Sequence, residues 1–564
     1  SQLPILLSEY VFYTRQDVED YLSLLSSIDT YYESIVEYEK QKSEAGLGLC
    51  DTAIDRIIQS CNAYLLDADH SFMAETFSQR LNQVEGLTDQ EKADYNARNH
   101  AAINEHFVPA YQKLIDGLSA QGYKMNLWEH IFVYPMAPFY GEMLPHAGEY
   151  EVWNGLVPDF ATPEARRIFT DYHREELVKK GISGFKLDEC DNSDYTGNWS
   201  FPDTAQFPSG MDGEQMHAAI GGLYQAALYE TFRQEDRRTY SQVRASWALA
   251  APLPFVLYSD LYNHKQFIRG MVTAGFSGLL WAPEVRDCKG GRDLLRRMES
   301  LMFSVHAIYN CWYIINPAWK QVDTKKNMAG EFMEDADYYT DVCRKYHEIR
   351  MSLLPYLYSA FVRYWKEGVP PLRALTMDYE DDLQARNVDD EYLFGDSLLV
   401  APMTLEDGTW RKVYLPAGKW HDFWEGDIRV SEVPEKGVPE KDAPESGRLE
   451  WRSPEGHVLE GGKAYLVQAD YDRIPVFVRD GSILPLADPV ECVRLDTVFT
   501  IRPKVYGDGG EGCLLYEDDF ETFAYENGRQ NCLRLWADGD GRIRTERTGG
   551  ERERYRVMEG DDKK

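Results

Sequence analysis

The sequence predicts an α/β protein with a parallel (β/α)8-type barrel in the middle of the chain, helices before it and two β-sandwich domains after it. Three observations support this order. Residues 1–118 show the apolar spacing of helices and no strand-like alternation. Residues 119–369 alternate short apolar runs with helical patterns, which is the order of parallel strands. Residues 370–485 and 486–564 carry short strand-like runs between Gly and Pro turns, as antiparallel sandwiches do.

Composition narrows the functional classes. The 564 residues exceed what one hydrophobic core normally organises, which agrees with several domains. The net charge of −34 argues against a nucleic-acid partner or an anionic membrane, because phosphate binding requires clustered Lys and Arg. The 9 Cys contain no CxxC pair, which favours free thiols in a reducing compartment over a zinc site. Since the sequence shows no signal-peptide pattern and no long apolar run, we expect a cytoplasmic protein.

The segment 1–118 is expected to be helical. Its apolar residues recur on one face of successive helices, and Thr88 followed by Glu91 is the pattern of a capping box. His100 and His106 are not at the spacing of a metal-binding pair on a helix, so we expect no metal site here. The predicted helices cover residues 16–28, 31–42, 51–63, 72–84, 89–99 and 104–118.

The barrel pattern begins near residue 123. A strand-like run at 123–128 is followed by a loop rich in Pro, Tyr and Gly, and then by a helix with Thr162 as its cap and Pro163 in its first turn. This helix is expected to end near Lys180, before the apolar run GFKLDECD at 184–191. Strand, loop, helix and strand is the order of a βαβ unit, so we expect parallel strands.

Polar side chains stand at the ends of four successive apolar runs: Asp188, Arg244, Asp260 and Glu284. The C-terminal ends of the strands in a parallel barrel surround one pocket, so this repetition predicts a catalytic or binding site there. Each position also has a structural explanation. Asp188 fits a solvated acidic turn after a strand, and Asp260 fits a helix N-cap.

Several stretches between residues 119 and 556 occur in one order: GLVPDFATPEARRIF, GFKLDECD, VRASWALA, YSDLYNH, LLPYLY, FGDSLLVAPM, YLPAGKWHDFW, IPVFVRDGSILP and LLYEDDFETFAYENG. Together they resemble glycoside hydrolase family 31, the retaining α-glycosidases. The resemblance implies that Asp188 is the nucleophile, that Asp260 is the acid/base and that Arg244 contacts the substrate. It also implies a carbohydrate substrate and a reaction that needs no cofactor or metal.

The chemistry of these residue types agrees with that assignment. Retaining cleavage of an α-glycosidic bond uses two carboxyl groups about 5–5.5 Å apart, one as nucleophile and one as proton donor. Lys186 lies two residues before Asp188, on the same face of the strand, where its cation favours a carboxylate. Arg244 either serves the same purpose or holds a sugar hydroxyl.

The remaining substrate-binding candidates lie close to predicted strand ends, where flat aromatic rings and carboxyl groups suit a sugar. Trp281 and Glu284, with Arg286, are expected at the rim of the pocket beyond Asp260, and the alternative for this group is a structural salt bridge. Glu129 and its neighbour Trp128 are candidates for the wall of the same pocket. Beside Arg244 and Lys186, the main candidates for substrate binding are Trp128, Trp153, His264, Trp281 and Glu284.

The sequence departs from the family pattern at the site. The family has a DMNE-like nucleophile sequence, whereas this chain has Asp188 followed by Glu189, Cys190 and Asp191. Asn310 stands where the family has a substrate-binding His. These differences weaken any transfer of α-glucosidase specificity, so glucose, galactose, xylose and N-acetylated sugars all stay open.

The front of the chain departs further. Members of the family carry an N-terminal β-sandwich and two barrel strands before the strand that corresponds to 123–128. Residues 1–118 show neither pattern, so the sequence predicts a barrel without its first two strands, with exposed edges unless helices cover them. This segment instead resembles an all-helical bacterial family of uncharacterised proteins related to zinc peptidases, although its HExxH motif is absent.

Two functions follow from these patterns. The main hypothesis is a retaining α-glycoside hydrolase that cleaves terminal α-linked sugars from oligosaccharides or glycosides. The alternative is a catalytically impaired glycosidase-like protein, chimeric or truncated, that only binds carbohydrate. A peptidase is disfavoured because HExxH is absent. We expect no nucleic-acid or membrane partner, and the sequence leaves the oligomeric state open.

Overall fold

A computed structural model gives two units, Ser1–Ser246 and Trp247–Lys564. It describes residues 7, 10–44, 68, 72–110, 112–113, 116, 124–190, 199–258, 263–282, 284–424, 428–433, 458–510 and 512–558. The predicted helix at 51–63 lies outside these ranges. So do residues 111, 114–115 and 117–118 of the predicted helix at 104–118. Within them, no helix is both long enough and apolar enough to cross a membrane.

The first unit begins with helices and continues with strands and helices in alternation. Its helices are α1 (Arg15–Ser26), α2 (Ile28–Glu44), α3 (Phe72–Leu81), α4 (Asp89–Ala102), α5 (Tyr140–Met143), α6 (Pro163–His173) and α7 (Gly213–Gln234). Its strands are β1 (Met125–His130), β2 (Ala147–Val152), β3 (Gly155–Pro158), β4 (Ile182–Asp188) and β5 (Ser241–Val243).

Local sequence signals explain where the early helices begin. The Thr88 side chain accepts from the Glu91 N–H, and the Glu91 carboxylate accepts from the Thr88 N–H, which is the predicted capping box at the start of α4. The buried residues of α1 are Val18, Tyr21 and their neighbours one turn on, as the helical spacing predicts. The predicted helices at 16–28, 31–42, 72–84 and 89–99 are therefore confirmed, with shifts of a few residues at their ends.

The strands β1, β4 and β5 run parallel, and β4 lies between the other two. Helix α6 connects β1 to β4 and α7 connects β4 to β5, so the predicted βαβ order is confirmed. Thr162 caps α6 by accepting from the Ala165 N–H, with Pro163 in the first turn. The α-helix ends at His173 and continues as a π-helical turn to Val178, close to the predicted end.

The second unit continues the parallel pattern and then becomes antiparallel. Strand β6 (Phe255–Leu257) pairs in parallel with β7 (Leu280–Trp281), and β8 (Glu284–Val285) pairs in parallel with β9 (Ile308–Tyr309). Its first elements are β6 (Phe255–Leu257), α8 (His264–Ala274), β7 (Leu280–Trp281), β8 (Glu284–Val285), α9 (Gly291–Met302), β9 (Ile308–Tyr309), α10 (Thr324–Met328), α11 (Ala336–Ser352) and α12 (Leu354–Glu367).

Two helices predicted to be long are shorter in the structure. The helical pattern at 292–313 gives α9, which ends at Met302, because the chain then leaves the helical conformation at Phe303 and forms β9. The pattern at 337–368 gives α11 and α12, because Pro355 stands in the first turn of a new helix and cannot continue the hydrogen bonding of the preceding one.

The C-terminal part consists of sheets whose described strand pairs are antiparallel, as the short strand-like runs predict, except for β20 (Phe499–Val505) and β24 (Tyr555–Val557), which pair in parallel. One sheet has the order β10-β11-β12-β18-β14-β16, a second has β13-β17-β15, and two further sheets have β19-β20-β24 and β21-β22-β23. The helix and strands are α13 (Leu375–Asp378), β10 (Leu372–Ala374), β11 (Tyr392–Phe394), β12 (Leu398–Val400), β13 (Trp410–Leu415), β14 (Lys419–Asp422), β15 (Val430–Glu432), β16 (Val458–Glu460), β17 (Lys463–Gln468), β18 (Val476–Arg479), β19 (Ile483–Ala487), β20 (Phe499–Val505), β21 (Cys513–Glu517), β22 (Asn531–Ala537), β23 (Ile543–Thr548) and β24 (Tyr555–Val557).

Candidate active site

Asp188 is the last residue of β4 and is almost buried, with 8% of its surface exposed. The strand before it is anchored by Phe185 and Leu187, which have no exposed surface. Directly after it, Glu189 has a φ of 54°, in the left-handed region that a non-glycine residue rarely adopts. This turn ends the strand at the carboxylate, so Asp188 is held on a rigid element at the C-terminal end of a parallel strand.

Two N–H donors and one cation surround the Asp188 carboxylate. The Trp128 indole donates from Nε1 to Oδ2 at 2.7 Å, and the Glu189 backbone N–H donates to Oδ1 at 2.9 Å. The Arg244 guanidinium places Nε 3.3 Å from the same Oδ1. Because an ionised carboxylate only accepts hydrogen bonds, this arrangement suits the ionised form and fixes its orientation.

The sheet register brings these donors together. Arg244 directly follows β5, and its backbone N–H donates to the Leu187 carbonyl at 2.9 Å. On the other side of β4, Trp128 pairs with Lys186 and His130 pairs with Asp188. Two of the predicted site residues, Trp128 and Arg244, therefore contact Asp188 directly, and Lys186 is half-buried on the same strand.

An aromatic group lies beside Trp128. The His130 ring is 5.4 Å from the Trp128 ring and 5.8 Å from the Trp153 ring, both nearly perpendicular. Trp153, predicted as a site residue, also contacts the Trp199 ring at 5.3 Å. Burial lowers the pKa of His130, so its ring is neutral near pH 7. These rings form an amphipathic wall next to the nucleophile candidate.

The structure directs Glu129 away from this wall. Adjacent residues of a strand point to opposite faces, so Glu129 faces the helices while Trp128 faces Asp188. The His173 ring places Nε2 2.8 Å from Glu129 Oε2, and the Tyr224 hydroxyl donates to Oε1 at 2.8 Å. The prediction that Glu129 lines the same wall as Trp128 is thus replaced by a contact that joins β1 to α6 and α7.

The two ring nitrogens of His173 face different partners. His173 Nδ1 lies 2.9 Å from the Phe169 carbonyl oxygen, which only accepts, so Nδ1 carries a proton. Nε2 faces the Glu129 carboxyl group, so a further proton lies between these two partners. His173 is 4% exposed, which makes this a nearly buried ion pair or its hydrogen-bonded neutral equivalent.

The remaining predicted residues belong to the second unit. Asp260 lies outside the described residues. His264 is 6% exposed, with Nε2 3.0 Å from the Ser300 hydroxyl, and burial lowers its pKa to about 3. Glu284 is 3% exposed and accepts from Asn310 Nδ2 at 2.8 Å. The Trp281 ring packs on Gly270 of α8, where an added Cβ would lie 1.9 Å from the ring.

Two family models match this chain. One, described as the glycosyl hydrolases family 31 TIM-barrel domain, matches residues 61–360, and the other, described as the glycosyl hydrolase family 31 C-terminal domain, matches residues 368–484. The chain belongs to glycoside hydrolase family 31. The barrel match begins within the helical segment 1–118, earlier than the stretch at 123–128 where the sequence motifs begin.

Several curated relatives are glycosidases by name, and two others are glycosyltransferases by name, an isomaltosyltransferase and a 1,6-alpha-glucosyltransferase of Sporosarcina globispora. The chain is 31% identical over 404 residues to an alpha-glucosidase of Bacillus thermoamyloliquefaciens, covering 69% of this chain and 46% of the relative. It is 31% identical over 203 residues to an alpha-xylosidase of Saccharolobus solfataricus, covering 36% of this chain and 24% of the relative. A family 31 dextranase structure from Flavobacterium johnsoniae, complexed with glucose, matches with a TM-score of 0.60 at 20% identity, covering 77% of this chain and 54% of that one. The chain thus spans about half or less of the length of these proteins.

Sequence reasoning missed His130, His173 and Tyr224 around the candidate site. His130 was detectable, because strand alternation places it on the same face as Trp128. His173 and Tyr224 carry no such signal, since each lies on an amphipathic helix among other buried residues. Their role depends on how α6 and α7 pack on β1.

Proposed function

We propose that this protein is a retaining α-glycoside hydrolase that cleaves terminal α-linked sugars from oligosaccharides or glycosides. The observation that supports this most is the Asp188 carboxylate at the end of a parallel strand, oriented by two N–H donors and paired with the Arg244 cation. Family membership and the names of the relatives support the reaction class.

The proposed mechanism uses two carboxyl groups in two displacements. Asp188 attacks the anomeric carbon, the glycosidic bond breaks, and Asp260 gives a proton to the leaving oxygen. A glycosyl ester on Asp188 results. Water then attacks the same carbon, Asp260 takes the proton from that water, and Asp188 leaves as a carboxylate. This sequence requires no cofactor and no metal.

The residues around Asp188 orient the nucleophile and contact the sugar. Trp128 and Arg244 hold the nucleophile by hydrogen bond and charge, so that little reorganisation is needed during attack. Trp153, in contact with His130, offers an aromatic face for the sugar. We propose that Lys186 contributes positive charge on this face. The burial of Glu284 and its hydrogen bond with Asn310 favour a supporting role over the expected place at the rim.

Two other candidates suit supporting roles better than direct contact with a sugar. The burial of His264 and its contact with Ser300 favour a role in joining α8 to α9. The packing of Trp281 on Gly270 favours a role in holding α8 on β7. Both positions would influence the site by placing the chain around Asp260.

The N-terminal helices also enter the proposal. We propose that helices of the segment 1–118 stand where other members of family 31 have their first two barrel strands. Two observations support this proposal. The described part of the segment contains the helices α3 and α4, and β1, the first strand after it, pairs with β4 among the described strands. A cytoplasmic location and an origin of this segment outside family 31 also stay hypotheses. A protein that binds carbohydrate without turnover is the outcome expected if these helices leave the site incomplete.

A panel of aryl α-glycosides tests the function. We expect release from at least one α-glucoside, xyloside or galactoside, with loss of more than a thousandfold in Asp188→Asn, an order-of-magnitude expectation for a removed nucleophile. Asp20→Asn, at an exposed position in α1, is the matched control and should retain full activity. A fluorinated glycosyl fluoride should label the peptide that contains Asp188. Folded protein that releases nothing from any glycoside in the panel would refute the hydrolase and leave the binding protein.

A further inference from the structure

Strand β1 carries the tryptophan that contacts the nucleophile, yet among the described strands it lies at the edge of its sheet. Its residues from Met125 to His130 pair with β4, and no other described strand pairs with β1. An edge strand lacks the second row of backbone hydrogen bonds that holds an inner strand. The position of Trp128 therefore depends on what else fixes β1.

Glu129 fixes β1 from the opposite face of the strand. One carboxylate oxygen, Oε1, accepts from the Tyr224 hydroxyl of α7 at 2.8 Å, and the other, Oε2, lies 2.8 Å from His173 Nε2 of α6. The His173 ring is itself oriented, because its Nδ1 lies 2.9 Å from the Phe169 carbonyl oxygen of the same helix. One side chain thus joins β1 to two helices through both of its oxygens.

These contacts are shielded from water. Tyr224 has no exposed surface, His173 is buried, and the Glu129 side chain is 18% exposed. Polar contacts in such surroundings are stronger than at the surface, because water competes with them poorly. The joint between β1, α6 and α7 is therefore expected to hold the strand in one position rather than to form and break with side-chain motion.

The two neighbours of Glu129 along β1 lie on the face of Asp188. Trp128 donates from Nε1 to Asp188 Oδ2 at 2.7 Å, and the His130 ring lies perpendicular to the Trp128 indole at 5.4 Å. Since 41% of Trp128 is exposed, packing constrains this indole less than it constrains a buried ring. Its reach to the carboxylate depends on the backbone at 128–130, and the side chain in the middle of that stretch is Glu129.

We propose that Glu129 is a positioning residue for the nucleophile: by joining β1 to α6 and α7, it holds the Trp128 indole on the Asp188 carboxylate. This inference rests on the proposed function and adds a residue that assists attack without touching the sugar. A displacement of about 1 Å caused by a change far from the reacting atoms can lower a rate about a hundredfold. A residue on the far face of β1 is therefore able to affect the reaction through the strand.

The rate at which a fluorinated glycosyl fluoride labels Asp188 on the full chain tests the proposal. Glu129→Ala should lower this rate by about tenfold or more, the effect of losing a hydrogen bond to the charged nucleophile. Glu129→Gln should label within about threefold of wild type, because its amide keeps an acceptor for Tyr224 and a donor for a neutral His173. Glu230→Ala, at an exposed position of α7, is the matched control and should label at the wild-type rate.

A double-mutant cycle with Trp128→Phe separates positioning from a general loss of structure. In the Trp128→Phe background, Glu129→Ala should lower the labelling rate by less than about twofold, because the contact that it supports is already absent. Equal effects in both backgrounds overturn the proposal. Tyr224→Phe removes one hydroxyl and keeps the ring, so it should lower labelling by about threefold in the wild-type background alone, and it decides the question if Glu129→Ala does not fold.

A measurement without turnover separates this proposal from the hydrolase. In NMR spectra of the tryptophan side chains, the Trp128 indole N–H signal is identified by its loss in Trp128→Phe. It should move toward the position of a free indole in Glu129→Ala and stay in place in Glu129→Gln. If wild-type protein cleaves glycosides but neither labelling nor this signal changes in Glu129→Ala, only the positioning proposal fails. If nothing is cleaved while the signal depends on Glu129, the hold of Glu129 on Trp128 stands and the hydrolase fails.

Discussion

The contact between Trp128 and Asp188 gives the sharpest prediction about the active site. Trp128→Phe keeps an aromatic ring in place but removes the N–H that donates to Oδ2 at 2.7 Å. A hydrogen bond to a charged group contributes about 1.5–3 kcal/mol. If that contribution is made in the transition state, its loss lowers kcat/KM by about 10- to 150-fold, at 1.36 kcal/mol per factor of ten.

The assay has two readouts. Steady-state hydrolysis of the best aryl α-glycoside should give the fall in kcat/KM. The rate at which a fluorinated glycosyl fluoride labels Asp188 should fall by the same factor, because that rate reports attack by Asp188 alone. Trp365→Phe is the matched control, since this tryptophan is 51% exposed and lies on α12 in the second unit.

The same experiment can refute the reasoning. A Trp128→Phe enzyme within about twofold of wild type in both rates would show that the indole N–H does not assist the nucleophile. A fall in hydrolysis with unchanged labelling would place the effect in a later step, such as hydrolysis of the intermediate, and would also contradict the proposed role. Urea unfolding of the variant checks that the first unit remains folded.

Three further predictions concern stability. Glu129→Ala should lower the free energy of unfolding by about 3 kcal/mol, because it leaves the buried side chains of His173 and Tyr224 without their partner. Glu129→Gln should lower it by less than about 1 kcal/mol, since a neutral His173 ring can accept a hydrogen bond from the amide. Equal losses of the two variants in urea unfolding would contradict this reasoning. Burial lowers the pKa of His264 to about 3, so between pH 6.5 and 3 the unfolded state binds more protons than the folded state. The free energy of unfolding therefore decreases as the pH is lowered, by up to about 1.4 kcal/mol per pH unit. His264→Gln should lose less stability than wild type between pH 7 and 4.5, and an equal loss would show that His264 titrates normally. Asn99 has no exposed surface, and its side chain has no hydrogen-bond partner among the described residues. Because a buried amide without partners is unfavourable, Asn99→Leu should raise the melting temperature by a few degrees. A decrease in the melting temperature would show that the Asn99 amide is hydrogen-bonded in the folded protein.

Much of the secondary structure was predictable because its signals are local. The capping box at Thr88 and the cap at Thr162 were read from neighbouring residues and are present in the structure. The helical pattern at 292–313 was misleading, since nothing in its apolar spacing marks the end of α9 at Met302. Pairing of Tyr309 with Val285 in parallel strands decides that boundary, and this contact is not local.

The candidate site was predictable only in part. Asp188 followed from an apolar run that ends in acidic residues. Trp128 and Arg244 were predicted near it, but their contacts with its two oxygens depend on strand register. Glu129 shows the limit of the approach, because a shift of one residue along β1 exchanges the side chain that faces the site with the one that faces the helices.

The sequence by itself determined that Asp188 ends a buried strand in a parallel βαβ unit, because apolar periodicity and strand ends depend on residues close together in the chain. Only the tertiary structure decided what surrounds the carboxylate. Trp128, 60 residues away along the chain, reaches Oδ2 because β1 pairs with β4 in one register. The Arg244 guanidinium likewise lies beside Oδ1 because β4 pairs with β5, and contacts between such distant segments are set by the folded state rather than by local sequence.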